Sequence, residues 1–141
     1  MSYDIKIING DFSLKNGDLD IVEGQDKLIQ DILKICLTEV GANIYNPWYG
    51  SYIHRSLIGS NLDTNITADV AKSQLQNSLE TLQKLQQLQT SDTMQKVSPS
   101  EHIAAISNIS VDRSASDPRF IEVIINVLSR AFSRTTVKFD V

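Results

Sequence analysis

The residues able to do chemistry are few, and their spacing is the first thing to weigh. Asp18, Asp20 and Glu23 lie close together in the chain. Glycoside cleavage needs one carboxyl with a raised pKa and a second carboxylate about 5 to 10 Å away. Strand alternation, however, puts Asp18 and Asp20 on a solvent face, and no apolar pocket adjoins them to raise a pKa. The soft metal ligands are two histidines and one cysteine, and His54, His102 and Cys36 have no ligand-like spacing. Cys36 shares a helical apolar stripe with Ile29, Ile32 and Leu33, which reads as a small buried hydrophobe rather than a nucleophile. His54 and His102 read as surface or capping residues. The six glycines stand singly, so no phosphate-cradling loop is present. The expectation is therefore no catalytic residue, no cofactor, no metal and no small-molecule substrate.

Composition narrows the partners. With 141 residues, 41% of them hydrophobic, the chain suits one domain with one core. A net charge of −4 gives no overall positive field for phosphate backbones, so nucleic acid is not expected. The longest purely apolar stretch is residues 103–106, far short of the roughly 20 residues a membrane helix needs, so no membrane partner is expected. The start of the chain lacks the basic-then-apolar pattern of a secretion signal, and a lone cysteine cannot form an intrachain disulfide. A soluble protein made in the cytoplasm is the expectation.

The elements that would position these residues follow from hydrophobic period. Asn9-Gly10 and Asn16-Gly17 are tight-turn pairs, and residues 4–8, 11–14 and 19–22 read as short strands around them. From Gln25 the spacing turns helical, with Leu28, Ile29, Ile32, Leu33, Cys36, Leu37 and Val40 on one stripe and Gly41 as the stop. Residues 41–59 read as an ordered loop with a helical turn near residues 51–57; Tyr45, Trp48, Tyr49 and Tyr52 would bury much area if folded back on the core. A second helix starts near Asp63 or Thr64 and runs to about Gln89, with Ala71, Leu75, Leu79, Leu82 and Leu85 buried and its glutamines outward. Residues 90–100 read as a linker. Three strands follow, over residues 103–111, 120–128 and 135–141, joined by hairpins. No internal repeat is evident. The fold class is α+β, a small single domain over 1–141: N-terminal hairpins in 1–23, a helical part in 24–98 with the loop 41–63, and a C-terminal three-stranded antiparallel sheet in 99–141.

One feature of this layout could bind. The third strand, Thr135, Thr136, Val137, Lys138, Phe139, Asp140 and Val141, would lie at a sheet edge, where backbone N–H and C=O groups can accept another chain's strand. Each added ladder bond contributes roughly 0.5 to 1.5 kcal/mol net. The N-terminal hairpins and the polar face of the second helix are further docking candidates.

The order of residues adds more than their chemistry. Asp11-Phe12-Ser13-Leu14, the run from Asn16-Gly17-Asp18-Leu19 through Glu23-Gly24-Gln25-Asp26, Gln30-Asp31-Ile32, Leu37-Thr38, Gly41, Asn46-Pro47-Trp48-Tyr49-Gly50-Ser51 and Ile58-Gly59 together resemble the baseplate wedge family of contractile phage tails. This is the small lysozyme-like baseplate protein or tail sheath initiator, related to a type VI secretion baseplate component. The resemblance implies an α+β virion component of the tail baseplate, made in the host cytoplasm. By the same resemblance it would join the wedge around the tube and pair strands with the first ring of sheath protein, with other wedge and hub proteins as its remaining partners. It also implies that deleting residues 135–141 leaves a folded domain that no longer seeds sheath. Pro47 and Gly50 match the family as a turn. The family's Glu-Pro-Arg motif has no match at the sheet entry, which reads Pro99-Ser100-Glu101-His102-Ile103; its letters fit Asp117-Pro118-Arg119 instead. Either the Glu101 region or Arg119 would hold that role. The runner-up implied by the family's lysozyme label is a peptidoglycan-cleaving enzyme; an adaptor of a phage-derived injection device is a third reading.

Overall fold

The computed structural model describes residues 3–57, 65–92, 96–117 and 119–141. Six two-residue strands open the chain: β1 (Asp4–Ile5), β2 (Ile7–Ile8), β3 (Asp11–Phe12), β4 (Leu14–Lys15), β5 (Asp18–Leu19) and β6 (Ile21–Val22). They pair antiparallel as β1 with β6, β2 with β3 and β4 with β5. The three pairs meet at a closed ring of backbone hydrogen bonds, each 2.9 Å long: Lys6 N–H to Asp20 O, Ser13 N–H to Lys6 O, and Asp20 N–H to Ser13 O. The ring members are spaced seven residues apart because the sequence repeats at that interval. Asp4 to Gly10, Asp11 to Gly17 and Asp18 to Gly24 each open on Asp and close on Gly. The expectation of no internal repeat is thus corrected. Asn9, Gly10, Asn16 and Gly17 all hold positive φ, the requirement of the two-residue turns that close two of the arms.

The first helix, α1 (Gly24–Leu37), buries Leu28, Ile32, Ile35 and Cys36. It ends short of the expected stop at Gly41. Thr38 turns extended, and its N–H and hydroxyl both donate back to Lys34 O. Glu39 then forms a parallel bridge with Ser51, which leaves Leu37 on an exposed helix end. The expected helical turn is α2 (Ile53–Leu57). The long helix α3 (Asn65–Ser91) follows; the expected caps Asp63 and Thr64, like Ile58 and Gly59, lie outside the described residues. Ala71, Leu75, Leu79 and Leu82 are buried as expected, but Leu85 is only half-buried and the next residue, Gln86, is the buried one. A 3₁₀ turn (Pro99–Glu101) leads into the sheet, carrying a capping box in which Ser98 and Glu101 satisfy each other's backbone N–H.

The sheet is β7 (Ile103–Arg113), β8 (Ile121–Ser129) and β9 (Arg134–Asp140), antiparallel in the order β7-β8-β9. Helices cover one face, α3 against β7 and α1 against β9. Ile103, Ile109, Val111, Val123, Ile125, Val127, Val137 and Phe139 point into that layer and form one core with the helical stripes. Each such aliphatic side chain contributes about 1.5 to 3 kcal/mol by leaving water. The other face is open to solvent. The fold is α+β, as the hydrophobic periods imply.

Two glutamines fasten the helices to extended backbone in the same way. Gln30 donates to Ile5 O at 2.8 Å and accepts from Ile7 N–H at 3.0 Å. Gln86 donates to Glu101 O and accepts from Ile103 N–H, both at 2.9 Å. Each carboxamide thus acts as a strand residue would, pairing with positions i and i+2 of its neighbour. Assigning Gln86 to the outer polar face was wrong for this reason: its partners are backbone groups that burial would otherwise leave unsatisfied.

Candidate functional site

The aromatic side chains of the loop do not fold back on the core as a group, although Trp48 and Tyr49 meet edge to face at 6.3 Å. Tyr45 is 92% exposed, Trp48 and Tyr52 are largely exposed, and only Tyr49 packs on the core. The loop needs no collapse to satisfy its backbone: the Asn43 carboxamide oxygen accepts from Tyr45 and Asn46 N–H, and Gly41 N–H donates to Pro47 O. What the segment does instead is join α1 to α3. Ser51 donates its hydroxyl to Cys36 O and its N–H to Thr38 O, while Ser78 on α3 donates to Gly50 O. Gly50 holds φ +124°, and a Cβ there would lie 2.5 Å from Thr38 O. The residue is glycine because two backbones touch, in addition to its positive φ.

The titratable groups are placed as follows. Asp18 and Glu23 are exposed, and Asp20 pairs with Lys6 at 3.7 Å. Burial pushes the Cys36 thiol up to about 12, so it stays protonated among hydrophobes. Partial burial pushes the Asp4 carboxyl up, but hydrogen bonds from Lys34 and Gln30 and the Lys34 charge outweigh this and hold it below the usual carboxylate range. That cluster pins β1 to α1. His54 is half-exposed, consistent with a surface residue.

His102 and Glu101 correct the sequence reading. His102 is buried, its ring against the Thr90 hydroxyl, and burial together with Arg130 and Lys27 holds its pKa below the ordinary value against the opposing pull of Glu101. Glu101 is a buried carboxylate, where none was expected. Its two oxygens accept from Gly24 N–H and Ser98 N–H, each at 3.3 Å, so one side chain serves the N-termini of α1 and of the 3₁₀ turn. Asp117 and Arg119 lie in the exposed hairpin between β7 and β8, tied to each other by a 2.8 Å ion pair. Pro118 is outside the described residues. The two segments weighed for the Glu-Pro-Arg role are therefore a buried cap and an exposed turn. Among the described residues no group of three or more His, Cys, Asp or Glu side chains could hold a metal ion, and no helix is long and apolar enough to cross a membrane.

The sheet has two edge strands, β7 and β9, and β9 is the one that the sequence singled out. Val141 and Ile121 exchange backbone hydrogen bonds of 2.8 and 3.1 Å, which fixes the phase of the β8–β9 ladder. Thr135, Val137, Phe139 and Val141 thus spend their N–H and C=O groups on β8. Thr136, Lys138 and Asp140 direct theirs away from the sheet, where no backbone partner meets them among the described residues. Arg134 O at the start of the strand receives the Gln25 carboxamide at 3.4 Å. The seven residues expected to pair with a partner divide accordingly: Thr136, Lys138 and Asp140 direct backbone groups outward, and the other four are bonded to β8 or Gln25 or packed in the core.

A second surface lies at the N-terminal hairpins. A groove of about 370 Å³ runs between the β2–β3 turn and α1, lined by Ile7, Leu33, Leu37 and the Lys34 stem.

Comparison with known proteins bears on this arrangement. No family profile matches the chain, and no curated protein matches it. Among solved structures, the crystal structure of a protein from Geobacter sulfurreducens, provisionally named a tail lysozyme, superposes with a TM-score of 0.59. The chain shares that protein's fold. The superposition covers 82% of this chain and 87% of the other at 13% sequence identity. The likeness is one of architecture, spanning most of both chains.

Proposed function

We propose that this chain is a structural component of a contractile tail baseplate, built into a wedge around the tube. In this reading β9 accepts a strand from the first ring of sheath subunits. The observation that carries it is the unpaired outer side of Thr136, Lys138 and Asp140 on a strand whose other side is locked to β8. A shared fold with a protein named a tail lysozyme supports the setting, as does the resemblance of residues 11–59 to the baseplate wedge family. Strand addition draws its energy from backbone hydrogen bonds, so few side chains need special chemistry.

The same reading makes the chain non-enzymatic. Glycoside cleavage needs a carboxyl that reaches substrate. Glu101, the buried acid, is shut away from solvent and has both oxygens engaged by backbone N–H groups.

Deleting residues 135–141 is a poor test, contrary to the sequence-based expectation, because Thr135, Val137 and Phe139 are part of the buried layer. Lys138→Pro is better. It removes an N–H that β8 does not use, and an edge strand tolerates proline where that N–H faces solvent. The variant should fold, bind its baseplate neighbours and fail to seed sheath on assembled baseplates, as counted by electron microscopy. Normal sheath growth on that variant would contradict the proposal.

A further inference from the structure

We infer that the strand completing the sheet at β9 carries a basic residue opposite Asp140, an acidic residue opposite Lys138 and apolar residues in the two alternate positions. This rests on β9 acting as the strand acceptor, and it specifies which strand the edge selects. The register sets Asp112 beside Glu122 and Glu122 beside Asp140. All three project on the solvent face, because the alternate residues Val111, Val123 and Phe139 point into the core. Three carboxylates therefore stand in one row across three strands. Like charges directly opposite one another weaken a sheet. Lys138 answers Glu122 at 3.2 Å, and the Ser110 hydroxyl donates to Asp112 at 2.8 Å. Asp140 ends the row at the β9 edge, and Asp112 ends it at the β7 edge.

A strand added beyond β9 would place its own side chains in the next position of each row. Next to Asp140 a Lys or Arg relieves the acidic row, and a carboxylate does the same for Lys138 after its single contact with Glu122. On the opposite face the rows run Val111, Val123, Phe139 and Ile109, Ile125, Val137, and their continuation is apolar. Each neighbouring pair already present, β7 with β8 and β8 with β9, is antiparallel, the pairing with the more stable ladder, so the incoming strand runs antiparallel to β9. From its N-terminus it reads basic, apolar, acidic, apolar, then a small polar residue opposite Thr136.

Two nonapeptides of identical composition test this, one centred on Lys-Val-Glu-Val-Thr and the other on Glu-Val-Lys-Val-Thr. Each is titrated into the full chain, and the amide signals of Thr136, Lys138 and Asp140 are followed by NMR. The first peptide should bind about tenfold more tightly, since two cross-strand charge pairs change sign between them. The double variant Lys138→Glu with Asp140→Lys should reverse the order. Equal binding of both peptides to both proteins, lost in each case with Lys138→Pro, would overturn the charge assignment while leaving strand addition intact. No shift at those amides with either peptide would overturn both.

Discussion

Gly50 shows how a single position can hold a fold together. Its φ of +124° is unfavourable for any L side chain, and the 2.5 Å approach of Thr38 O to a Cβ leaves no room for relaxation. Gly50→Ala should destabilise the domain by about 3 kcal/mol, read as a lowered midpoint in urea unfolding. Gln86 tests a different cost. Gln86→Met keeps volume but strands Glu101 O and Ile103 N–H in the interior, so about 2 to 4 kcal/mol should be lost. Gln87→Met, one residue along on the exposed side, should change stability by less than about 0.5 kcal/mol. His102 makes the interior sensitive to acid. Above its ordinary pKa of 6.5 the ring is neutral in both folded and unfolded chains. As pH falls below that value the unfolded chain protonates first, because burial, Arg130 and Lys27 disfavour the charged ring more than Glu101 favours it. Stability should therefore decline from about pH 6.5 downward until the depressed folded value is passed, and His102→Gln should flatten that slope in unfolding curves measured across pH.

At the scale of elements, legibility followed period length. β7, β8 and β9 match the expected strands within two residues at either end, since seven or more residues of alternation leave little room for another register. The stripes of α1 and α3 were legible in their middles, but Ile35, fully buried, was missed, and the ends misled: Leu37 is exposed, Val40 lies past the helix, and Gln86 is buried where Leu85 was expected. The seven-residue repeat at the start went unread because each strand is only two residues long, too short for alternation to register; its signal was the recurring Asp and Gly. Gln30 and Gln86 were unread because polarity suggests solvent, although Gln86 continues the stripe of Leu75, Leu79 and Leu82. The aromatic loop misled in the opposite sense: large rings suggest burial, but the Tyr45 and Asn46 N–H groups already donate to the Asn43 carboxamide oxygen. For the candidate site, the edge position of β9 was readable from strand order. The split between residues facing β8 and residues facing outward was not, because ladder phase depends on where the hairpin closes.

Across the whole molecule, the parts divide into a brace and an edge. The ring of three strand pairs, the two glutamine clips, Glu101 at two helical N-termini and the Gly50 contact hold α1 and α3 against one face of the sheet. β9 is thus paired along its length with β8 and backed by α1, so in the proposed reading a strand adding to it meets an acceptor that is already ordered. The decisive measurement is a cryo-EM map of the chain within an assembled tail, at a resolution that traces strands. A fourth strand from a sheath subunit should lie beside β9, hydrogen-bonded to Thr136, Lys138 and Asp140. An outer side of β9 left bare in the assembled particle, or covered by anything other than an extended segment, would contradict the account.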